Sequence, residues 1–252
     1  MKSADELRNK LRAIDHRGYP AYKELKDKYD FGDYILSIDH VQGDPFAAPS
    51  RVSVHVPMKK AAFPEEYYNE YTKRITLQDH LTRLFARQIS GGSFQAKGSG
   101  KSGLLSVSRC GQEVLERTAC RVSESSVIMR FEAGFPANGR SINAKELEKM
   151  LFGILPECVK GSLYFERINK TALKETIELC EDQQYIRAEL PKQGLCAFIA
   201  DGSVLPRQNG VSEKPLKDAV VFKTPESMKV TFTLPNRKNV TGMGIKKGIV
   251  SS

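Results

Sequence analysis

"SGGSFQAKGSGKSGLLSV", residues 90–107, decides the fold. Gly100, Lys101 and Ser102 supply the second half of the phosphate-cradling pattern, Gly, four residues, then Gly-Lys-Ser. The first glycine would fall at position 95, where Gln95 stands. A phosphate loop also needs a strand before it and a helix after it, because the helix N-terminus supplies the anion-binding N–H groups and dipole. Here a helical pattern through Ile89 comes first and the β-prone run "LLSVSRCGQEVLERTACRV" (104–122) comes after. The order is helix, loop, strand. A nucleotide-hydrolysing loop is rejected at this place, and no catalytic residue is assigned. Two readings stay open: a mobile surface hairpin, or a flexible basic loop that grips a phosphate backbone.

Outward from this loop, the same mixture continues. Ser3 and Glu6 form a capping box for a helix over 4–14, and Pro20 opens a second short helix through about Asp30. "YILSIDHV" (34–41) and "RVSVHVP" (51–57) read as strands; in the second, Val52, Val54 and Val56 share one face and Arg51, Ser53 and His55 the other. Thr76 with Asp79 is expected to cap a helix through Ile89. "SVIMRFEA" (126–133) is a hairpin partner of the run before it, with Val127, Met129, Phe131 and Ala133 inward and Arg130 outward; Arg117 and Arg121 are expected to share a face of the preceding strand. Asn143 and Glu146 cap a helix through Gly153, and a longer helix runs from about Thr171 to Leu190. "GLCAFIAD" (194–201) has the unbroken apolar character of a strand buried on both faces, and "MKVTFTL" (228–234) is a last strand. The fold class is α+β, with mixed helices and mostly antiparallel sheets.

Composition narrows the function. The 252 residues carry 39 Lys plus Arg against 30 acids, a net charge of +9, which favours polyanionic partners such as nucleic acid or nucleotide phosphates. No apolar window is long enough to span a membrane, and the charged start has no secretory core. The five cysteines are odd in number and scattered, which reads as reduced thiols of a cytoplasmic protein. The four histidines are dispersed, so no metal site is expected.

Three groups of residues carry candidate chemistry. Lys97, Lys101, Ser102, Arg109, Arg117, Arg121 and Arg130 could form one basic strip for nucleic acid, RNA above all and possibly single-stranded. Alternatively, Glu113, Glu116 and Glu132 pair with those arginines across the sheet. "HVQGDPFAAPSR" (40–51) presents His40, Gln42, Asp44 and Arg51 to a ligand or a neighbouring domain, unless Asp44 only closes a turn with Arg51 paired to it. Asp201 and Arg207 lie beyond the end of the 194–201 strand, as a ligand pair or as a salt bridge closing the loop. Arg140 in "NGR" is a turn and interface residue.

Several strings together resemble one family, the predicted ATPases of the ABC class: "YDFGDYILSIDHVQGDPFAAPSRVSVHVP", "GKSG", "GQEVLERTA", "GFPANGR", "GLCAFIADGSVLPRQNG" and "LPNRKNVTGMGIKKGIV". They keep the family's order over nearly the whole chain. The resemblance implies that "GMGIKKGI" leads into the strand before the Walker A loop, so that the chain is expected to be truncated before that loop. On this expectation 1–212 is an N-terminal α+β domain and 213–252 the incomplete start of an ABC ATPase core, with the edges of "VTFTL" unpaired. The resemblance further implies ATP and Mg²⁺ as ligands of a full-length parent but none for this chain. It also implies the rest of the ATPase core as a partner. A homodimer is a further expected partner, a structural domain the alternative role.

Overall fold

The computed structural model describes residues 1–237 and 239–248, in two compact units, Met1–Leu173 and Lys174–Ser252. Of the expected lead-in "GMGIKKGI" (242–249) only Ile249 lies outside the described residues, together with 250–252.

The first unit is built on one sheet. In chain order its strands are β1 (Lys2–Ser3), β2 (Lys28–Asp30), β3 (Ile35–His40), β4 (Ser50–Pro57), β5 (Leu105–Ser106), β6 (Cys120–Val122) and β7 (Ser126–Ala133). They lie in the order β1-β2-β3-β4-β7-β5, with β6 also on β7; every pairing except β1 with β2 is antiparallel. A separate two-stranded ribbon joins β8 (Ala137–Asn138) to β9 (Ser141–Ile142). The helices are α1 (Ala4–Ala13), the single turn α2 (Met58–Ala61), α3 (Tyr71–Gly92), α4 (Ala144–Glu148) and α5 (Leu155–Leu163).

Alternation explains the core. Val52, Val54 and Val56 of β4 and Val127, Met129, Phe131 and Ala133 of β7 are buried on one face. That face meets α3, where the Phe85 and Phe131 rings lie 5.3 Å apart. Leu7 and Leu11 of α1 are fully buried, and the Ser3–Glu6 capping box forms as the sequence implies. Tyr19 and Tyr22 are buried too, and their hydroxyls donate to the Phe135 and Pro136 carbonyls.

Some elements differ from the sequence reading. Pro20 opens a 3₁₀ turn, Tyr19–Leu25, and the chain then extends into β2 because Tyr29 has a core position to fill. Thr76 does not cap a helix: it sits inside α3 and its hydroxyl donates back to the Thr72 carbonyl. The helix expected to stop at Gly153 continues as a π-turn, Lys149–Ile154, into α5. Pro156 lacks an N–H and would clash with the preceding turn, and the widened turn accommodates it.

The second unit holds most of α6 (Lys170–Glu189) and an antiparallel sheet of β10 (Leu195–Ala200), β14 (Asn239–Lys246) and β13 (Lys229–Thr233), in the order β10-β14-β13. A hairpin of β11 (Arg207–Asn209) and β12 (Ser212–Pro215) stands apart from it. The expectation of an unpaired tail is corrected: β13 pairs with β14 over its whole length, and β14 pairs with β10. The units part at Leu173/Lys174, which keeps the three strands of this sheet together. β10 is an edge strand with only Leu195 buried, not a strand buried on both faces. The turn between β13 and β14 is tied to α6, where the buried Asp182 accepts from the Asn236 backbone N–H at 3.0 Å.

Candidate functional site

The face of the large sheet turned away from α3 is polar, and its register can be followed residue by residue. Lys28, Ser37, Ser53 and Arg130 form one cross-strand row; Ile35, His55, Ile128 and Arg121 form the next; Arg51, Glu132 and Ser106 form a third. A β-bulge between Ile38 and His40 inserts Asp39 as an extra residue. Its carboxylate accepts from Ser37 Oγ at 2.7 Å and from Ser53 Oγ at 2.8 Å, and His55 Nε2 lies 3.1 Å from Ser53 Oγ. Burial and the nearby Lys28 ammonium hold His55 below the ordinary histidine value, against the pull of Asp39.

Two adjoining clefts open here and share Thr118 and Arg130. The first, of about 930 Å³, is lined by Arg74, Arg117, Arg121 and Arg130, with Glu116 and Glu124 as its acids. Arg117 is already neutralised. Its guanidinium pairs with Asp79 of α3, a carboxylate with only 3% of its side chain exposed, which Arg83 also contacts at 2.6 Å. Arg117 therefore does not stand on a strand beside Arg121, as the sequence implied; β6 begins at Cys120, and the chain before it is irregular. Arg121 is exposed and makes no ion pair among the described residues; Arg130 donates Nη1 only to the Thr118 carbonyl, at 2.8 Å. At the rim, exposed Tyr71 donates its hydroxyl to Glu116 at 2.7 Å, and the Arg74 guanidinium lies 5.9 Å from its ring centre.

The second cleft, of about 700 Å³, is lined by Asp39, Arg51, Ser106, Ser108, Arg130 and Glu132 among others. Of the acids offered as cross-sheet partners, Glu132 accepts instead from Ser106 Oγ at 3.0 Å and Glu116 from Tyr71.

The remaining candidates lie elsewhere. Lys97, Lys101, Ser102 and Arg109 line neither cleft. The loop of Gly100, Lys101 and Ser102 packs against neighbouring loops, and no helix follows it. Ser102 is buried; its hydroxyl donates to the Ser99 carbonyl and accepts from the Ala137 N–H at 3.0 Å. The Lys101 N–H donates to the Pro45 carbonyl at 2.9 Å, and a Cβ at Gly134 would overlap the Lys101 carbonyl. Lys97 donates its backbone N–H to Glu146 at 2.7 Å. Loop 97–103 thus interlocks with 42–46 and 134–140.

Gln42 is the buried centre of that interlock. It accepts from the Ser50 and Phe135 N–H groups at 3.3 and 3.1 Å and donates to the Asp44 carbonyl at 3.0 Å. Asp44 closes an Asx turn on Phe46, but its ion-pair partner is Arg140, at 3.1 Å, not Arg51. His40 is exposed on β3 and lines neither cleft. In the second unit, Asp201 does not pair with Arg207. It accepts from the Thr224 hydroxyl and N–H, both at 2.7 Å, and these bonds hold its carboxyl below the usual carboxylate pKa; Arg207 is exposed.

Sequence reasoning missed Arg74, Thr118 and the Asp39–Ser53–His55 group. The alternation of β3 and β4 placed Ser53 and His55 outward, but only the bulge brings Asp39 to them. Among the described residues no helix is long and apolar enough to cross a membrane, and no cluster of His, Cys, Asp or Glu could hold a metal ion.

Residues 4–166 match the family model described as ATPase of the ABC class N-terminal, and residues 169–251 match a P-loop domain model of the ABC ATPases. Comparison with curated proteins found no match.

Proposed function

The chain belongs to the ATPases of the ABC class, and from that membership we propose that its first unit is an accessory domain that binds single-stranded nucleic acid, RNA in particular, for an ATP-driven protein. One observation carries the reading: Arg121 and Arg130 project into a cleft beside Arg74 with no carboxylate neutralising either of the two. Such cations attract a phosphate backbone, and released counterions supply the affinity. The exposed Tyr71 ring at the rim offers a face on which an unpaired base can stack.

The family implies ATP and Mg²⁺, yet the Gly-Lys-Ser turn of the first unit does not fit them. The Gly100–Lys101–Ser102 turn opens no helix, and the Ser102 hydroxyl that would reach a metal is spent on Ser99 and Ala137. No step of hydrolysis is assigned to these residues.

The test is the salt dependence of binding to a fluorescent single-stranded oligouridine. If Arg74, Arg121 and Arg130 each contact a phosphate, the slope of log K against log salt is about −2. Arg121→Ala and Arg130→Ala each flatten it by about 0.7. Lys59→Ala and Lys60→Ala on α2, outside both clefts, leave it unchanged. Equal losses from both pairs, or no salt-sensitive binding, would overturn the proposal and leave a structural role for the domain.

A further inference from the structure

The second cleft holds two arginines and two carboxylates that avoid one another. Arg51 and Glu132 are direct cross-strand neighbours, yet Glu132 is engaged by Ser106. Asp39 lies in the same cleft, yet both of its oxygens are engaged by Ser37 and Ser53. Neither Arg51 nor Arg130 makes an ion pair among the described residues. The serines thus hold the acids apart from the cations, and both signs of charge stay available to a ligand.

A ligand for such a site must present an anion and, beside it, a hydroxyl donor. A bare phosphate backbone presents the anion for Arg51 and Arg130 but no donor for Glu132, whose carboxylate it would only repel. Ribose phosphate presents both, because the 2′-hydroxyl is a donor close to the backbone, and it is the group by which a protein tells RNA from DNA.

We propose that this cleft reads ribose: Arg51 and Arg130 take a backbone phosphate while Glu132 Oε1, the oxygen that Ser106 leaves open, accepts a hydrogen bond from the adjacent 2′-hydroxyl. This deepens the nucleic-acid reading above and rests on it. Arg130, common to both clefts, makes the two one continuous track. Glu132 is exposed on β7, with its backbone held in the ladder to β4, so its side chain can be changed without opening the core.

The test titrates the whole chain with oligouridine, the same strand as 2′-O-methyl RNA, and oligodeoxyuridine. RNA is expected to bind about tenfold tighter than either of the others, the factor that about 1.4 kcal/mol carries. Glu132→Ala should remove that preference by weakening RNA while leaving DNA where it was. Two results would overturn the ribose reading alone: binding of RNA, 2′-O-methyl RNA and DNA with one affinity, or Glu132→Ala tightening RNA and DNA alike, as a merely repulsive carboxylate would. The 2′-O-methyl strand needs no variant, so its result stands even if Glu132→Ala fails to fold. Failure of every strand to bind would overturn the nucleic-acid reading and this one together.

Discussion

Replacing Gln42 by Leu tests whether that side chain serves a ligand or the fold. The change conserves size and removes every hydrogen bond of the amide. Two backbone N–H groups, of the fully buried Ser50 and Phe135, then lose their acceptor, and the Asp44 carbonyl loses a donor. Each buried group left unpaired costs about 1–3 kcal/mol, so the two N–H groups together cost roughly 4 kcal/mol. For a unit of this size that is a fall in Tm of about 10 °C. Tyrosine fluorescence follows it selectively, because all of the nine tyrosines except Tyr185 lie in Met1–Leu173. Asp44→Ala is the comparison. It removes an Asx turn and the exposed ion pair to Arg140, which contributes under about 1 kcal/mol. A Gln42→Leu protein as stable as the Asp44→Ala protein would refute the buried-keystone reasoning and return Gln42 to the ligand-facing candidates.

Two further outcomes are expected. Gly134→Ala should destabilise the first unit at least as strongly, seen as early urea unfolding, because the added methyl meets the Lys101 carbonyl and neither backbone can withdraw; a wild-type midpoint would mean that the loops are not interlocked. Burial first, then the Lys28 charge, keeps His55 below the ordinary value of 6.5 in the folded chain. The unfolded chain therefore binds more protons there, and the stability from neutral His55, complete above pH 6.5, is lost as the pH falls through the lowered folded value. His55→Gln should flatten the pH dependence of urea unfolding in that range, and an unchanged profile would refute the assignment.

The amino-acid sequence by itself determined the capped start of α1 and the apolar face of the alternating strands β4 and β7. The valines of β4 and the Val127–Ala133 alternation are local patterns, and burying their apolar face leaves one orientation for each strand. The charge pattern likewise put Arg130 and Arg121 on the open side. Missing from the one-dimensional pattern was any statement of which cations stay unpaired. Asp79 lies 38 positions from Arg117 in the chain, and only the packing of α3 beside β6 lets it take that arginine out of the strip. The basic run "KGSGKSG" left two readings open for the same reason: its glycines allow close backbone approach, which serves a phosphate or a neighbouring loop equally well. Tertiary structure put the carbonyls of Pro45 and Ala137 there instead. It also inserted the bulge that turns Asp39 toward Ser37 and Ser53, and so left Arg51 and Arg130 uncompensated. Local pattern sets how each segment orients, because burial acts on every residue where it stands. Pairing of charges depends on distances between remote segments, which exist only once the chain is folded.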